Sequence, residues 1–140
     1  MNRRRAHEPP ARPLVLIVDG HDDTCELYAL ALSAMGFEVI PTHDETDALG
    51  RAFGSLPDII VADLPRPNLD GSQFLHDLRQ NARTRSIPVV ALSGHVQQSV
   101  RECAERDGFA AFFAKPCLPN ELAAGLRRVL DGNGHALVER

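Results

Sequence analysis

Lysine is nearly absent from this sequence. Lys115 stands alone; the other fourteen of the fifteen basic residues are arginine. Tryptophan is missing, tyrosine occurs once as Tyr28, and cysteine occurs three times, at Cys25, Cys103 and Cys117. An odd number of cysteines with no CxxC spacing argues against a disulfide framework or a zinc ribbon and fits a reducing cytoplasm. Each cysteine sits among apolar residues and reads as a small core filler. No apolar run approaches membrane-spanning length. The opening MNRRRAHEPPARP lacks the apolar core of a secretory signal. A net charge of −4 with only the short basic arm Arg3–Arg5 leaves no electrostatic footprint for nucleic acid. The six histidines show no metal-ligand spacing.

What is present is a rhythm. After a Pro- and Arg-rich arm over residues 1–13, LVLIV (14–18) is a β-branched apolar run of the kind buried on both faces of a sheet. Leu27, Leu30, Ala31, Ala34 and Met35 recur at helical spacing, and Gly36 closes that helix. FEVI (37–40) is a strand ended by Pro41, and Ala48, Leu49, Ala52 and Phe53 mark a weaker helix interrupted by Gly50. DIIVA (58–62) is a strand; Phe74, Leu75, Leu78 and Ala82 mark a helix; IPVVAL (87–92) is a strand. Val96, Val100, Cys103 and Ala104 form a helical stripe ended by Gly108, AAFFA (110–114) is the fifth strand, and Pro119 opens a last helix with Leu122, Leu126, Val129 and Leu130 inward. Residues 14–131 thus make one domain, followed by a polar tail over 132–140.

Strands alternating with helices predict a parallel, doubly wound α/β sheet with helices on both faces. Such sheets place their chemistry beyond the carboxyl ends of the strands. Asp19 follows LVLIV, Asp63 follows DIIVA, Ser93 follows VVAL and Lys115 follows AAFFA. Parallel strands put these two carboxylates, one hydroxyl and one ammonium on a common rim.

Over roughly residues 13–131 the chain resembles the receiver domains of bacterial two-component response regulators, a CheY-like superfamily. The segment DIIVADLPRPNLDG (58–71) carries the resemblance most strongly, with Pro67, Asp70 and Gly71 following Asp63 at four, seven and eight residues. VVALSG supplies Ser93, and AAFFAKP supplies Lys115, Pro116 and the switch aromatic Phe112. The resemblance implies a (βα)5 flavodoxin-like fold with strand order 2-1-3-4-5. It implies that Asp63 accepts a phosphoryl group from a sensor histidine kinase or a histidine phosphotransfer protein. It further implies Mg²⁺ held by Asp19, Asp63 and the Pro65 backbone carbonyl, a cis bond before Pro116, and Ser93, Lys115 and Phe112 as phosphoryl-binding or switch residues. A compact ammonium on a flexible stem suits such a site better than a broad guanidinium fork.

The sequence departs from the family after the first strand. The family carries two adjacent acids there, whereas VDGHDD has Gly20 next to Asp19. A weakened Mg²⁺ site is the expected consequence. Asp22 and Asp23 are possible substitute acids, although Asp23 with Glu26 three residues on also matches a helix capping box. The alternative function is a receiver-like interaction module that works without phosphorylation. A phosphohydrolase with an aspartyl nucleophile fits poorly, because Pro65 occupies the position of its second aspartate. The expectation is therefore a signalling domain and not a classical enzyme. Output is expected through contact with a downstream protein or through a homodimer using residues 95–130, where Arg101, Arg106, Arg127 and Arg128 lie. Pro65 and His95 flank the mouth of the site.

Overall fold

The computed structural model describes residues 12–20, 22–63, 72–94, 108–132 and 137–139. Among them, β1 (Leu14–Asp19), β2 (Glu38–Thr42), β3 (Ile59–Asp63), β4 (Val89–Ser93) and β5 (Ala111–Ala114) form a parallel sheet in the order β2-β1-β3-β4-β5. Four helices connect or follow them: α1 (Asp22–Ala34), α2 (Glu45–Ser55), α3 (Ser72–Arg79) and α4 (Pro119–Leu130). This is the doubly wound arrangement that the alternating pattern predicts. The stripe at Val96–Ala104 lies outside the described residues. The polar stretch after residue 131 contains a feature that the sequence does not announce. A three-residue strand, β6 (Leu137–Glu139), pairs in parallel with β5.

Why these strands are apolar throughout follows from their position. β1, β3 and β4 have neighbours on both sides and helices on both faces, so nearly every residue in them is buried. Alternate side chains feed two cores. Leu16, Val18, Ile60, Ala62, Val89, Ala91 and Phe112 pack with α2 and α3, while Val15, Ile17, Ile59, Val61, Val90 and Phe113 pack with α1 and α4. The adjacent phenylalanines of β5 thus face opposite ways, as period two requires. Where Phe113 meets α4, the helix presents Gly125; a Cβ there would lie 2.4 Å from the ring.

Local chemistry sets the element ends. Asp44 caps α2 by accepting from the Asp47 amide at 2.7 Å. Gly36, at φ 97°, reverses the chain after α1 as the sequence suggests. Glu121 accepts from the Leu118 amide at 3.1 Å and fixes the start of α4.

Three expectations need correction. Pro41 lies inside β2 and does not end it, because β2 is the edge strand and an absent N–H is harmless there. Ala82 is exposed beyond the end of α3; the chain turns there, and Thr84 is buried in its place, donating to the Leu78 carbonyl at 2.7 Å. The apolar positions singled out on α1 do not face the core: Leu27 is 60% and Leu30 74% exposed. The buried stripe of α1 is Cys25, Tyr28 and Leu32.

Candidate functional site

The ends of four strands bring their polar residues to one rim. Asp19 closes β1 and stands in register with Asp63, the last residue of β3. Ser93 closes β4, and the Lys115 amide, just past β5, donates to the Ser93 carbonyl at 2.8 Å. The Lys115 Nζ lies 2.8 Å from Asp63 Oδ1. Asp19, Asp63 and Ser93 are buried, whereas the lysine side chain is 33% exposed and enters from the open side.

Lys115 pairs with Asp63, and the charge of a second acid, Asp19, acts on the same carboxyl. Burial pushes the Asp63 carboxyl above its ordinary range, the hydrogen bond from Lys115 pulls it back, and the charge of Asp19 pushes it up again; the net direction is upward. Asp63 Oδ2 is buried and has no hydrogen-bond partner among the described residues. An unsatisfied buried polar atom costs roughly 1–3 kcal/mol, more when charged. A site that keeps one is suited to a cation or to an incoming electrophile. Two oxygen-bearing acids at a strand-end crevice fit a hard divalent cation that completes its shell with water and phosphate oxygens. Among the described residues no cluster of three His, Cys, Asp or Glu residues could hold a metal by itself.

Gly20 follows Asp19 at this rim, and its geometry is permissive. Its φ is not positive, and a Cβ built there would find nothing nearer than the His43 carbonyl at 4.0 Å. The missing charge is therefore not imposed by crowding or by the backbone. His43 closes this flank, with Nδ1 3.3 Å from the Asp19 carbonyl oxygen.

The loop carrying the lysine is anchored from two sides. The Lys115–Pro116 peptide bond is cis. Tyr28 on α1 donates its hydroxyl to the Cys117 carbonyl at 2.6 Å. Burial, reinforced by the negative character of Cys117, Asp63, Asp19 and Glu121, pushes the Tyr28 phenol up to about 12. The sequence did not single out Tyr28; the available signal was the chain's lone phenol, on a helix between Cys25 and Leu32. Cys25 is core, as read, and Cys117 is half-buried against the same cluster.

Phe112 is buried, 2% exposed, among the side chains facing α2 and α3. Pro65, Pro67, Asp70, Gly71, His95, Arg101, Cys103 and Arg106 lie outside the described residues, as do the side chains of Asp22 and Asp23. Arg127 is committed to the fold. It donates to the Met35 carbonyl at 2.9 Å and stacks 4.5 Å from the centroid of Phe37. No helix among the described residues is long and apolar enough to cross a membrane.

Comparison with known proteins agrees with this geometry. The family model for the response regulator receiver domain matches residues 15–127. Response regulator Rre1 of Synechocystis is 34% identical over 122 residues, covering 86% of this chain and 53% of Rre1, so the chain spans about half of that relative. Protein PilH of Pseudomonas aeruginosa is 29% identical over 120 residues, covering 84% of this chain and 98% of PilH. The chemotaxis response regulator CheY4 of Vibrio cholerae superposes with a TM-score of 0.76 at 24% identity, over 84% of this chain and 98% of that one, a likeness of fold. The chain belongs to the response regulator receiver domain family of two-component signalling.

Proposed function

We propose that this chain receives a phosphoryl group on Asp63 from a phosphohistidine of a sensor histidine kinase or histidine phosphotransfer protein. The observation that carries the reading is the Lys115–Asp63 contact beside a buried, unpartnered carboxylate oxygen. In the transfer, an Asp63 oxygen bonds to phosphorus, the P–N bond of the donor breaks, and the imidazole leaves with the bonding pair. Such transfers depend on positioning and charge neutralisation. Lys115 supplies a mobile positive charge that stays with the phosphoryl oxygens, and the Ser93 hydroxyl donates to them. Magnesium, when bound by Asp19, Asp63 and the Pro65 carbonyl, neutralises charge on the carboxylate and phosphoryl oxygens. With Gly20 in place of an acid, that binding is weaker than in a three-acid site, and the chain runs at higher magnesium concentrations.

Output follows by protein contact. Phe112 is the switch aromatic of this reading, held inward here, and residues 95–130 are the candidate surface for a downstream partner or a homodimer. The donor docks elsewhere. Leu27 and Leu30 are exposed on α1 beside Glu26, and Leu118, 59% exposed, lies three residues past Lys115. An amphipathic helix pair from the donor fits such leucines. The missing acid at Gly20 supports a second reading, a receiver-fold interaction module that works unphosphorylated.

Treatment with acetyl phosphate across a magnesium series, read by intact mass, separates the two. One added phosphoryl group, rising with magnesium and absent from Asp63→Asn, supports transfer. No addition at any magnesium concentration, in a folded protein, supports the interaction module.

A further inference from the structure

Lys115 meets Asp63 across a strand. Asp63 ends β3 and Lys115 follows β5, and β4 lies between them in the sheet. The contact of 2.8 Å between Nζ and Oδ1 spans that gap. A flexible four-carbon stem holds such a contact only from a backbone that is itself held. At the start of the loop the Lys115 amide donates to the Ser93 carbonyl at 2.8 Å. Pro116 has no N–H with which to add a second bond. The Leu118 amide is spent on Glu121, and the Leu118 carbonyl accepts from the Leu122 amide, both as part of the start of α4. Between these two anchors the Cys117 carbonyl accepts from the Tyr28 hydroxyl at 2.6 Å, across 89 residues of chain.

Tyr28 is built as a stiff arm. Its side chain is 7% exposed and packs in the core that holds Cys25, Leu32, Leu122 and Leu126. A tyrosine has only two side-chain torsions, and packing fixes both. α1 begins three residues after Asp19, so the arm joins the acid-bearing end of β1 to the lysine-bearing loop after β5. Burial, with the charge of Cys117, Asp63 and Asp19, keeps the phenol protonated, and at neutral pH its hydroxyl is a donor.

We propose that Tyr28 is a positioning residue for phosphoryl uptake: through the Cys117 carbonyl its hydroxyl holds the loop from which Lys115 reaches Asp63, and so sets the rate at which Asp63 is phosphorylated. The inference rests on the reading of Asp63 as the acceptor. Tyr28 touches neither the carboxylate nor the phosphoryl group. It acts by keeping the ammonium at its post, where the charge on the transferring oxygens develops. Without the hydroxyl the ring still fills the core, but the middle of the loop loses its link to α1 and the lysine samples positions away from Asp63.

Tyr28→Phe tests this in the full chain, since it keeps the ring and removes the donor. Two readouts are taken below the melting range of every protein compared. The first is the initial rate of labelling by acetyl phosphate at saturating magnesium, in which an Asp63 oxygen bonds to phosphorus and acetate leaves with the bonding pair. The second uses the chain's single lysine: lysine labelled with ¹³C at Cε gives one NMR signal, and its relaxation reads the freedom of the Lys115 ammonium end. The variant is expected to label at least about threefold more slowly than the wild type and to show a more mobile Lys115 signal. Thr84→Val, which removes a buried donor to the Leu78 carbonyl in the turn after α3, lowers stability and leaves both readouts unchanged. Beside a wild type that labels, an unchanged rate or an unchanged Lys115 signal in Tyr28→Phe overturns the inference, and so does a change of either readout in Thr84→Val that matches Tyr28→Phe. A wild type that takes up no phosphoryl group overturns the reading of Asp63, and the inference falls with it; the wild-type rate alone tells the two failures apart.

Discussion

Asp63 has one oxygen held by Lys115 and another that is buried with no partner among the described residues. That asymmetry has consequences for stability as well as for chemistry. Its carboxyl titrates above the ordinary value because burial and Asp19 outweigh Lys115. A folded-state pKa above the unfolded one means that protonation favours the fold. The stabilisation is fully present below the ordinary carboxylate range and is lost as pH rises through the elevated value. Asp63→Asn removes this dependence. The variant is expected to unfold at a higher temperature than the wild type near neutral pH without magnesium, and the gap closes as pH falls; thermal melts of both proteins across pH check it. The neighbouring Gly20 carries a second expectation. Because a Cβ there meets nothing closer than 4.0 Å, Gly20→Asp is expected to fold normally and adds a negative charge at the rim. Titration calorimetry should show magnesium binding tightened by about tenfold, a change of roughly 1.4 kcal/mol, with Gly20→Ala unchanged.

Elements in this fold are specified by close approaches as much as by apolar pattern. α4 sits over Phe113 only because residue 125 has no side chain. Gly125→Ala gains about 1 kcal/mol of intrinsic helix preference and forces a methyl group into an aromatic ring, an overpacking cost of roughly 1–3 kcal/mol. The net expectation is a lower midpoint in urea with an unchanged slope. The sequence betrays nothing of this contact, since a glycine in a helix looks the same whether it faces a ring or water. The central strands were legible because burial on both faces demands uninterrupted apolar residues. β2 was legible except for its end: Pro41 reads as a terminator until the strand is known to be an edge. α1 was legible as a helix and misleading as to its face. Leu27 and Leu30 share a helical stripe with Ala31 and Ala34, but the stripe that packs is Cys25, Tyr28 and Leu32, whose two polar-tipped members hide the period. β6 left no trace, because three residues in a polar tail have neither length nor periodicity.

The whole molecule converts distance along the chain into proximity at one rim. Asp19, Asp63, Ser93 and Lys115 span nearly a hundred residues, and four parallel strands return each to the same edge of the sheet. That much of the site could be read from the sequence, because a polar residue immediately after an apolar strand has only one place to go in a parallel sheet. The tether from Tyr28 to the lysine loop could not, because it depends on how α1 and α4 lie together on one face. The account stands on Asp63 as the acceptor. Its most direct test is to treat the protein with acetyl phosphate and magnesium, reduce the acyl phosphate with borohydride, and map by peptide mass spectrometry where an aspartate has become homoserine. The predicted result is conversion at position 63 and at no other acid. Conversion at Asp19 or at another carboxylate, with Asp63 untouched, contradicts it.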